Sequence, residues 1–274
     1  MVTESVVVVT GSSSGIGRSI ATKFALHGSF VVVHGFKNQD GVDETQRLIA
    51  NCRVAELNDS KTSGTPSRGI LADISNAADC KRLVDEAFAW KGRVDVWVNV
   101  AGANVLTGDA SKLTFDDKLD LLWRTDVAGT VRVARFVAER MLKQSEIASK
   151  FASGSLPFIV NISWDQAELG MEGESGQYFA ATKAAIAAFS KSLAKTLSPH
   201  VRVNCVAPGW IKTEWGQQAS TSWDARARGE SMLNRWGTPE DIADVVYALA
   251  SPGCEFINGQ TIPVNGGWKP QSQE

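Results

Sequence analysis

Seven short runs of β-branched and other apolar residues alternate with longer segments of helical periodicity along the whole chain. Such alternation is typical of βαβ units, which assemble into a parallel sheet. Each run is too apolar for a strand with one face in water, so helices must cover both faces of the sheet. The sequence therefore predicts one α/β domain over residues 1–274, with a doubly wound, seven-stranded parallel sheet.

The strands are predicted at residues 5–10, 30–35, 67–72, 94–99, 157–163, 201–207 and 260–264. The predicted helices include 15–27, 76–90, 115–144, 177–197 and 239–251, and the last begins with a Thr-Pro-Glu start signal. Two polar stretches, 56–67 and 145–155, are predicted to be surface loops. Residues 214–234 fall where a lid over an active site is expected.

The composition limits the classes of ligand or binding partner that are expected for this chain. The formal net charge is −2 and no basic block is present, unlike in nucleic-acid and membrane-surface binders. The four cysteines lack CxxC spacing and the three histidines have no second ligand nearby, so neither a metal site nor histidine acid/base chemistry is predicted. The N-terminal apolar run is too short to cross a membrane and has no basic flank. A cytoplasmic enzyme with a small-molecule substrate is the simplest expectation.

Three glycines, Gly11, Gly15 and Gly17, lie directly between the first predicted strand and its helix. Glycines at this turn let the backbone approach a pyrophosphate, whose charge then meets free amides at the positive end of the helix. Residues 11–15 also fit the GxSxG elbow of α/β hydrolases. That elbow needs an acid and a histidine in an active-site loop, whereas His200 directly precedes a buried strand. The dinucleotide interpretation is therefore preferred.

The GxxxGxG spacing of this segment, together with further blocks, resembles the short-chain dehydrogenase/reductase superfamily. Asp73 in LADIS is similar to the family's adenine-contacting acid, and VNVAG at 98–102 is similar to its NNAG turn. APGWIKTE from Ala207 resembles the nicotinamide-side segment, and RWGTPEDIA from Arg235 and NGQTIPVNGGW from Asn258 resemble the C-terminal blocks. These blocks cover nearly the whole chain in the family's order. The resemblance implies a Rossmann fold that binds NAD(P)(H).

The resemblance also implies which residues bind the dinucleotide. They are Gly11, Ser13, Ser14, Ile16, Gly17, Lys37, Asp73, Ile74, Asn99, Ala101, Gly102, Arg132, Lys183, Pro208, Gly209, Ile211 and Thr213. Residues 34–37, at the end of the second strand, include no acid that would bind the ribose hydroxyls of NAD. Lys37 and Ser14 suit a 2'-phosphate, so NADP(H) is favoured over NAD(H). Lys37 is alternatively a solvated loop charge, since Asp40 and Asp43 follow closely.

The family usually carries an Asn, a Ser and a Tyr-x-x-x-Lys, whose phenol protonates a carbonyl oxygen as hydride arrives. This chain aligns Asp126 with the Asn, Trp164 with the Ser and Phe179 with the Tyr. It keeps Lys183, which is expected to retain its second family role, a hydrogen bond to the nicotinamide ribose. Tyr178 lies one residue too early, and one residue is about 100° of helical rotation, so its phenol is predicted to point away from the nicotinamide.

Loss of the general acid would slow carbonyl reduction about a hundred- to ten-thousand-fold. An iminium carbon is already cationic and accepts hydride without any proton on a leaving oxygen. It needs a nearby anion instead, and one carboxylate at ~4 Å contributes roughly 4 kcal/mol in a protein-like dielectric. Asp165, at the carboxyl end of the fifth strand, is the first candidate and Asp126 the second. Asp165 is alternatively a solvated loop or cap residue.

Two further residues complete the predicted site. Trp164 would offer an aromatic face to a flat or cationic substrate. Arg132 would reach the cofactor or pair with Asp165, or form a surface salt bridge.

A lost Tyr, an aspartate beside the former Ser and a retained nucleotide site resemble the fungal reductases of prenylated indole alkaloid pathways. The malbrancheamide and paraherquamide members couple NADPH-dependent iminium reduction to an intramolecular Diels-Alder closure. The sequence therefore favours an iminium reductase, with a cyclisation step implied by the resemblance. Two alternatives stay open: a conventional carbonyl reductase that uses Tyr178, and a non-catalytic NADP(H)-binding protein. The superfamily also implies a homo-oligomer, dimer or tetramer, assembled through two long central helices.

Overall fold

A seven-stranded parallel sheet forms the centre of the structure, a computed structural model that describes residues 4–57, 65–148 and 156–269. The strand order is β3-β2-β1-β4-β5-β6-β7. The strands are β1 (Val6–Thr10), β2 (Phe30–Gly35), β3 (Ser67–Leu71), β4 (Val96–Asn99), β5 (Phe158–Ile162), β6 (Arg202–Pro208) and β7 (Thr261–Val264). The chain order reverses between β1 and β4, and open parallel sheets bind ligands outside the carboxyl ends of the strands at such a point. The predicted Rossmann fold is confirmed.

Helices cover both faces of the sheet. They are α1 (Gly15–Leu26), α2 (Gln39–Leu57), α3 (Ala77–Lys91), α4 (Phe115–Leu122), α5 (Thr130–Ala148), α6 (Gln166–Leu169), α7 (Gly173–Leu197), α8 (Glu214–Gln217), α9 (Thr221–Glu230) and α10 (Pro239–Ala250). Val7 and Val9 of β1 are buried with residues of α1, α2 and α10. Val6 and Val8 are buried with residues of α3, α5 and α7. Because neighbouring strand residues point to opposite faces, this uninterrupted apolar strand fills two cores.

The helix predicted at 115–144 is interrupted. A π-helical turn, Trp123–Gly129, separates α4 from α5. A Cβ at Gly129 would lie 2.7 Å from the carbonyl oxygen of Ile74, so this turn packs directly on the backbone that follows β3. Single π-helical turns inside longer helices often occur at functional sites, and this one carries Asp126.

Other element boundaries differ less from the prediction. α2 was not among the predicted helices, and its last two residues fall in the loop predicted at 56–67. Residues 58–64 of that loop lie outside the described residues. Of the loop predicted at 145–155, residues 145–148 belong to α5 and the rest lie outside the described residues. No helix in the described ranges is long and apolar enough to cross a membrane.

The N-termini of α10 and α1 differ in whether a side chain caps their first backbone amides. α10 begins with the predicted signal: the Thr238 hydroxyl accepts from the Asp241 amide, the Asp241 carboxylate accepts from the Thr238 amide, and Pro239 follows the cap. Ser14, the N-cap residue of α1, makes no side-chain capping hydrogen bond. The first amides of a helix need an acceptor, so those of α1 remain available to a ligand.

Candidate active site

A cavity of about 600 Å³ lies over the carboxyl ends of β1 to β4. Its walls come from the glycine turn after β1, the end of β2, the segment after β3 and the segment after β4. The lining residues are Gly11, Ser13, Ser14, His34, Gly35, Phe36, Lys37, Asn38, Ala72, Asp73, Ile74, Ser75, Val100, Ala101, Gly102, Ala103, Asn104, Leu121 and Thr125. The cavity occupies the edge of the sheet where the sequence predicts a dinucleotide.

The glycine turn is shaped by close backbone approaches. Gly11 has a φ of +67°, and a Cβ there would lie 2.8 Å from Cα of Ala101. Gly15 has a φ of +53°, and a Cβ there would lie 3.8 Å from the methyl group of Thr213. Gly17 packs against the backbone of Gly11. Only glycine adopts a positive φ at such contacts without strain. The turn brings Gly11, Ser13 and Ser14 to the cavity.

Buried His34 ties this turn to two strand ends. Its Nδ1 accepts from the amide of Gly11 at 3.0 Å, and its Nε2 lies 3.1 Å from the carbonyl oxygen of Ala72. The backbone of His34 also bonds Ser12 twice: the His34 amide donates to Ser12 Oγ, and the Ser12 amide donates to the His34 carbonyl. Burial lowers the pKa of His34 to about 4, so the ring is neutral at physiological pH.

Two aspartate side chains accept hydrogen bonds from backbone amides of the segment after β3. Asp73 Oδ1 accepts from the amide of Ser75, and Asp79 Oδ2 accepts from the amide of Asp73. Asn76, not Asp73, caps α3. Arg132 donates to the carbonyl oxygen of Ser75 at 3.1 Å. The suggested pairing of Arg132 with Asp165 is wrong, since no ion pair joins the two in the described part of the chain.

These features fit a nicotinamide dinucleotide. The uncapped start of α1 and the close-packed glycines suit a pyrophosphate. Asp73, Ile74 and Lys37 line the cavity. The Nζ atom of Lys37 lies 4.8 Å from the ring centroid of Phe36. The residues present therefore match the group that the sequence implies.

The positions aligned with the family's Ser and Tyr hold two aromatic rings. Trp164 and Phe179 meet edge to face, with ring centroids 6.1 Å apart. The nearby Ser163 hydroxyl does not replace the lost one, because it donates to the carbonyl oxygen of Lys183 at 2.8 Å. Phe179 has no polar hydrogen, and the indole N–H of Trp164 can form a hydrogen bond but is far too weak an acid to transfer its proton to an oxygen.

Tyr178 lies in an apolar cluster that adjoins this pair, with its ring centroid 4.9 Å from that of Phe179. It is 3% exposed and packs with Val105 and Leu122. Its ring centroid lies 5.9 Å from that of Phe115, and burial raises the pKa of its phenol. A phenol with a raised pKa among apolar side chains is a poor proton donor to a ligand.

Asp126 and Lys183 form a buried ion pair. Lys183 Nζ lies 2.9 Å from Asp126 Oδ2, and Asp126 is 2% exposed. The other carboxylate oxygen accepts from the amide of Ala103 at 2.8 Å. A Cβ at Gly102 would lie 2.7 Å from Asp126 Oδ2, so the pair lies directly beneath the turn after β4. The charge of Asp126 is balanced inside the protein.

Asp165 has no such partner. Its Oδ2 accepts from Asn265 Nδ2 at 3.0 Å, while its buried Oδ1 has no hydrogen-bond partner among the described residues. A Cβ at Gly209 would lie 3.2 Å from Oδ2, which places the carboxylate beside the segment after β6. Burial, and to a smaller extent the nearby Glu230 carboxylate, raise the pKa of Asp165 to about 6. The result is a buried anion without a cation.

The segment predicted as a lid, 214–234, contains α8 and α9 and is fixed to the body by Glu230. This buried carboxylate accepts from Trp210 Nε1 at 2.7 Å, from Gln166 Nε2 at 3.1 Å and from Arg226 Nε at 2.8 Å. Arg226 also pairs with Glu172, just before α7.

Four tryptophan rings surround this anchor. Neighbouring ring centroids are 5.5–6.3 Å apart. The cluster is formed by Trp210, Trp215, Trp223 and Trp236. It gives the segment an aromatic core next to the residues that follow β6.

The predicted residues thus divide into groups. Gly11, Ser13, Ser14, Lys37, Asp73, Ile74, Ala101 and Gly102 line the cavity. Ile16, Gly17, Asn99, Arg132, Lys183, Pro208, Gly209, Ile211 and Thr213 lie outside its lining, as do Asp126, Trp164 and Asp165. Asn99 is buried and bonded to Trp97 and Asn161. His34, Asn104 and Thr125 line the cavity without having been predicted, because no motif marks them and only the fold brings them there.

Comparison with known proteins agrees with the fold and the motifs. Residues 11–269 match the family described as enoyl-(acyl carrier protein) reductase. The chain is 31% identical to tropinone reductase-like 3 of Erythroxylum coca over 264 residues, 96% of this chain and 92% of the relative. It is 32% identical to a 3-oxoacyl-(acyl-carrier-protein) reductase of Aquifex aeolicus, covering 95% of each.

A solved short-chain dehydrogenase of Burkholderia cenocepacia in complex with NADP superposes with a TM-score of 0.79 at 25% identity, covering 97% of this chain and 98% of that one. Fold, motifs and relatives agree over almost the whole chain. The protein therefore belongs to the short-chain dehydrogenase/reductase superfamily of oxidoreductases.

Proposed function

We propose that this protein is an NADP(H)-dependent reductase of an imine or iminium substrate. The observation that carries the proposal is the pair of rings, Trp164 and Phe179, at the positions where the superfamily places its hydroxyls. A carbonyl oxygen becomes strongly basic as hydride arrives and needs a proton donor. An iminium carbon becomes a neutral amine on receiving hydride and needs none.

The chain's own residues would hold the dinucleotide. The amides of the glycine turn and of the start of α1 meet the pyrophosphate, and Asp73 and Ile74 form the adenine wall. Lys183, oriented by Asp126, lies beneath the turn after β4 and is suited to the nicotinamide ribose. When bound, the cofactor supplies the hydride.

Asp165 is the residue that favours a cationic substrate. Its buried Oδ1 has no hydrogen-bond partner and its carboxylate forms no ion pair among the described residues, whereas Asp126 is paired with Lys183. A substrate cation about 4 Å away would gain roughly 4 kcal/mol at an effective dielectric constant of 20. Trp164 adds an aromatic face, which attracts a flat cation.

Preference for NADP(H) over NAD(H) rests on charge. Lys37 and Ser14 line the same cavity, and the end of β2 contributes no carboxylate to the lining. An ammonium group attracts a 2'-phosphate, while a ribose hydroxyl pair is favoured by an acid.

Coupling of the reduction to a Diels-Alder closure is part of the proposal, on the resemblance to the fungal alkaloid reductases. Such a closure needs a shaped, water-poor surface more than any particular group. The four-tryptophan cluster beside the segment after β6 supports it. Comparison of product stereochemistry with and without the protein tests it.

A homo-oligomer, dimer or tetramer, is proposed on the family resemblance. Trp123 lies in the π-helical turn between α4 and α5, and Leu113 lies just before α4. Both are exposed apolar side chains of the kind that a second subunit would cover. Sedimentation velocity measures the state directly.

The test of the reductase proposal compares Asp165→Asn with wild type on a cyclic iminium ion. The variant keeps the hydrogen bond from Asn265 but removes the charge, so kcat/KM should fall about a hundred- to thousand-fold. Asp109→Asn, which removes an exposed carboxylate, is the control and should be unchanged. Equal activity of Asp165→Asn and wild type would show that the carboxylate plays no part.

Tyr178→Phe separates the carbonyl-reductase alternative. If Tyr178 were the acid of a carbonyl reductase, Tyr178→Phe should lose ketone reduction about a hundredfold or more and keep iminium reduction. Since Tyr178 is buried in an apolar cluster, we expect no such loss, and unchanged ketone reduction in Tyr178→Phe would dismiss the alternative.

A further inference from the structure

The histidine at the end of β2 joins three strand ends that form the cavity. His34 is 2% exposed, and its ring spans from the glycine turn after β1 to Ala72, just after β3. β2 lies between those two strands in the sheet, so a side chain at its end reaches both neighbours. The sequence assigned no role to this residue.

The donors and acceptors fix one protonation state. The amide of Gly11 can only donate, so Nδ1 must carry a lone pair. The carbonyl of Ala72 can only accept, so Nε2 must carry the hydrogen. The ring is therefore the neutral Nε2–H tautomer. Its low pKa agrees, and among the charged groups near it are Arg82 and Asp79 of α3.

His34 holds the amide of Gly11, and the conformation of the glycine turn depends on Gly11. Gly11 has a positive φ and lies against the backbone of Ala101, so its peptide plane has little freedom. Without an acceptor at Nδ1, a partly buried amide would lose its partner, which costs about 1–3 kcal/mol. A reoriented peptide would change the direction of the amides that follow, Ser13 and Ser14, which line the cavity.

We propose that His34 is a positioning residue of the nucleotide site, whose neutral Nε2–H ring holds the glycine turn in the conformation that receives the pyrophosphate. This inference rests on the proposed binding of a nicotinamide nucleotide. His34 itself contacts the turn and the end of β3, and acts on the ligand through Gly11.

Two substitutions test the inference. His34→Asn retains an acceptor near the position of Nδ1, whereas His34→Leu removes both polar contacts at similar size. The dissociation constant of NADPH, measured by fluorescence titration, should rise at least tenfold in His34→Leu and less than threefold in His34→Asn. The exposed His200→Asn serves as control and should match wild type.

A readout on the wild-type protein avoids any folding defect of the variants. In ¹⁵N NMR spectra, His34 should show a protonated Nε2 and an unprotonated Nδ1 at pH 5 to 8. An Nδ1–H tautomer would overturn the inference. NADPH binding by His34→Leu at wild-type affinity would also overturn it while leaving the proposed function intact, whereas failure of wild type to bind any nicotinamide nucleotide would reject the proposed function itself.

Discussion

At the scale of single residues, Asp165 shows a conflict between stability and function. The residue is 8% exposed, its Oδ1 has no hydrogen-bond partner within the described ranges, and a second carboxylate, Glu230, lies near it. Burial of an unpaired charge destabilises a fold, and such groups persist where a ligand needs them. The neighbouring pair of Asp126 and Lys183 has no comparable imbalance.

Asp165→Asn should therefore stabilise the free protein. The pKa of Asp165 is raised from 3.8 to about 6, so the folded state binds a proton more tightly than the unfolded state, and wild-type stability falls as pH rises through 6. The variant lacks this loss and should gain up to about 2–3 kcal/mol in free energy of unfolding at pH 7.5.

Urea unfolding at two pH values measures this gain. It should shrink as pH falls from 6 and approach zero below about pH 3, where the wild-type carboxyl is protonated in both states. A variant less stable than wild type at pH 7.5 would show that the charge is balanced by a partner. Asp109→Asn should change stability by less than about 0.5 kcal/mol at either pH.

At the scale of elements, α9 depends on one buried carboxylate. Glu230 accepts hydrogen bonds from Trp210, Gln166 and Arg226, which belong to different parts of the site. In Glu230→Gln, the –NH2 group replaces one of the two acceptor oxygens and faces at least one donor that it cannot accept from. Each lost bond to a charged acceptor removes about 1.5–3 kcal/mol. Hydrogen exchange of the α9 amides should accelerate while that of β1 stays unchanged.

The same variant distinguishes a lid from a fixed structural element. If α9 closes over substrate, Glu230→Gln should raise KM for the iminium several-fold and leave NADPH affinity unchanged, since the nucleotide cavity has no lining residue from α9. Arg228→Gln, on the exposed side of α9, is the matched control. Unchanged KM together with faster exchange would reject the lid.

The elements differ in how well the sequence predicts them. β1 could be predicted because four valines in a row need two cores. α2 could not, because it is mostly polar. Among residues 39–52 of α2 few side chains are buried: Val42, Ile49 and Thr45, whose hydroxyl donates to the carbonyl oxygen of Ser12. The π-helical turn could not be predicted either. The sequence reads as one continuous helix there, and the packing of Gly129 on the Ile74 carbonyl is visible only in the structure.

At the scale of the whole molecule, the order of strands decides where chemistry can occur. Residues from Gly11 to Thr125 meet in one cavity because all strands are parallel and the strand order reverses between β1 and β4. The family motifs predicted this meeting, but the contacts of His34 and the ion pair of Lys183 depend on side-chain geometry that no motif encodes.

Nucleotide binding should stabilise the whole fold. NADPH at a hundred times its dissociation constant should raise the free energy of unfolding by about 2.7 kcal/mol, which raises Tm by several degrees in a chain of this size. Lys37→Ala should reduce the shift caused by NADPH and leave that caused by NADH unchanged, because only the former carries a 2'-phosphate. Scanning calorimetry measures both shifts, and an equal loss with the two nucleotides would reject the assigned role of Lys37.

The most direct test of the central claim is oxidation of NADPH, followed by absorbance, with a cyclic iminium ion and the ketone of the same ring skeleton. A site without a proton donor should reduce the iminium and leave the ketone untouched at the same concentration. Reduction of the ketone at a comparable rate would contradict the account, and tight NADPH binding without oxidation by either substrate class would identify a nucleotide-binding protein that has lost its chemistry.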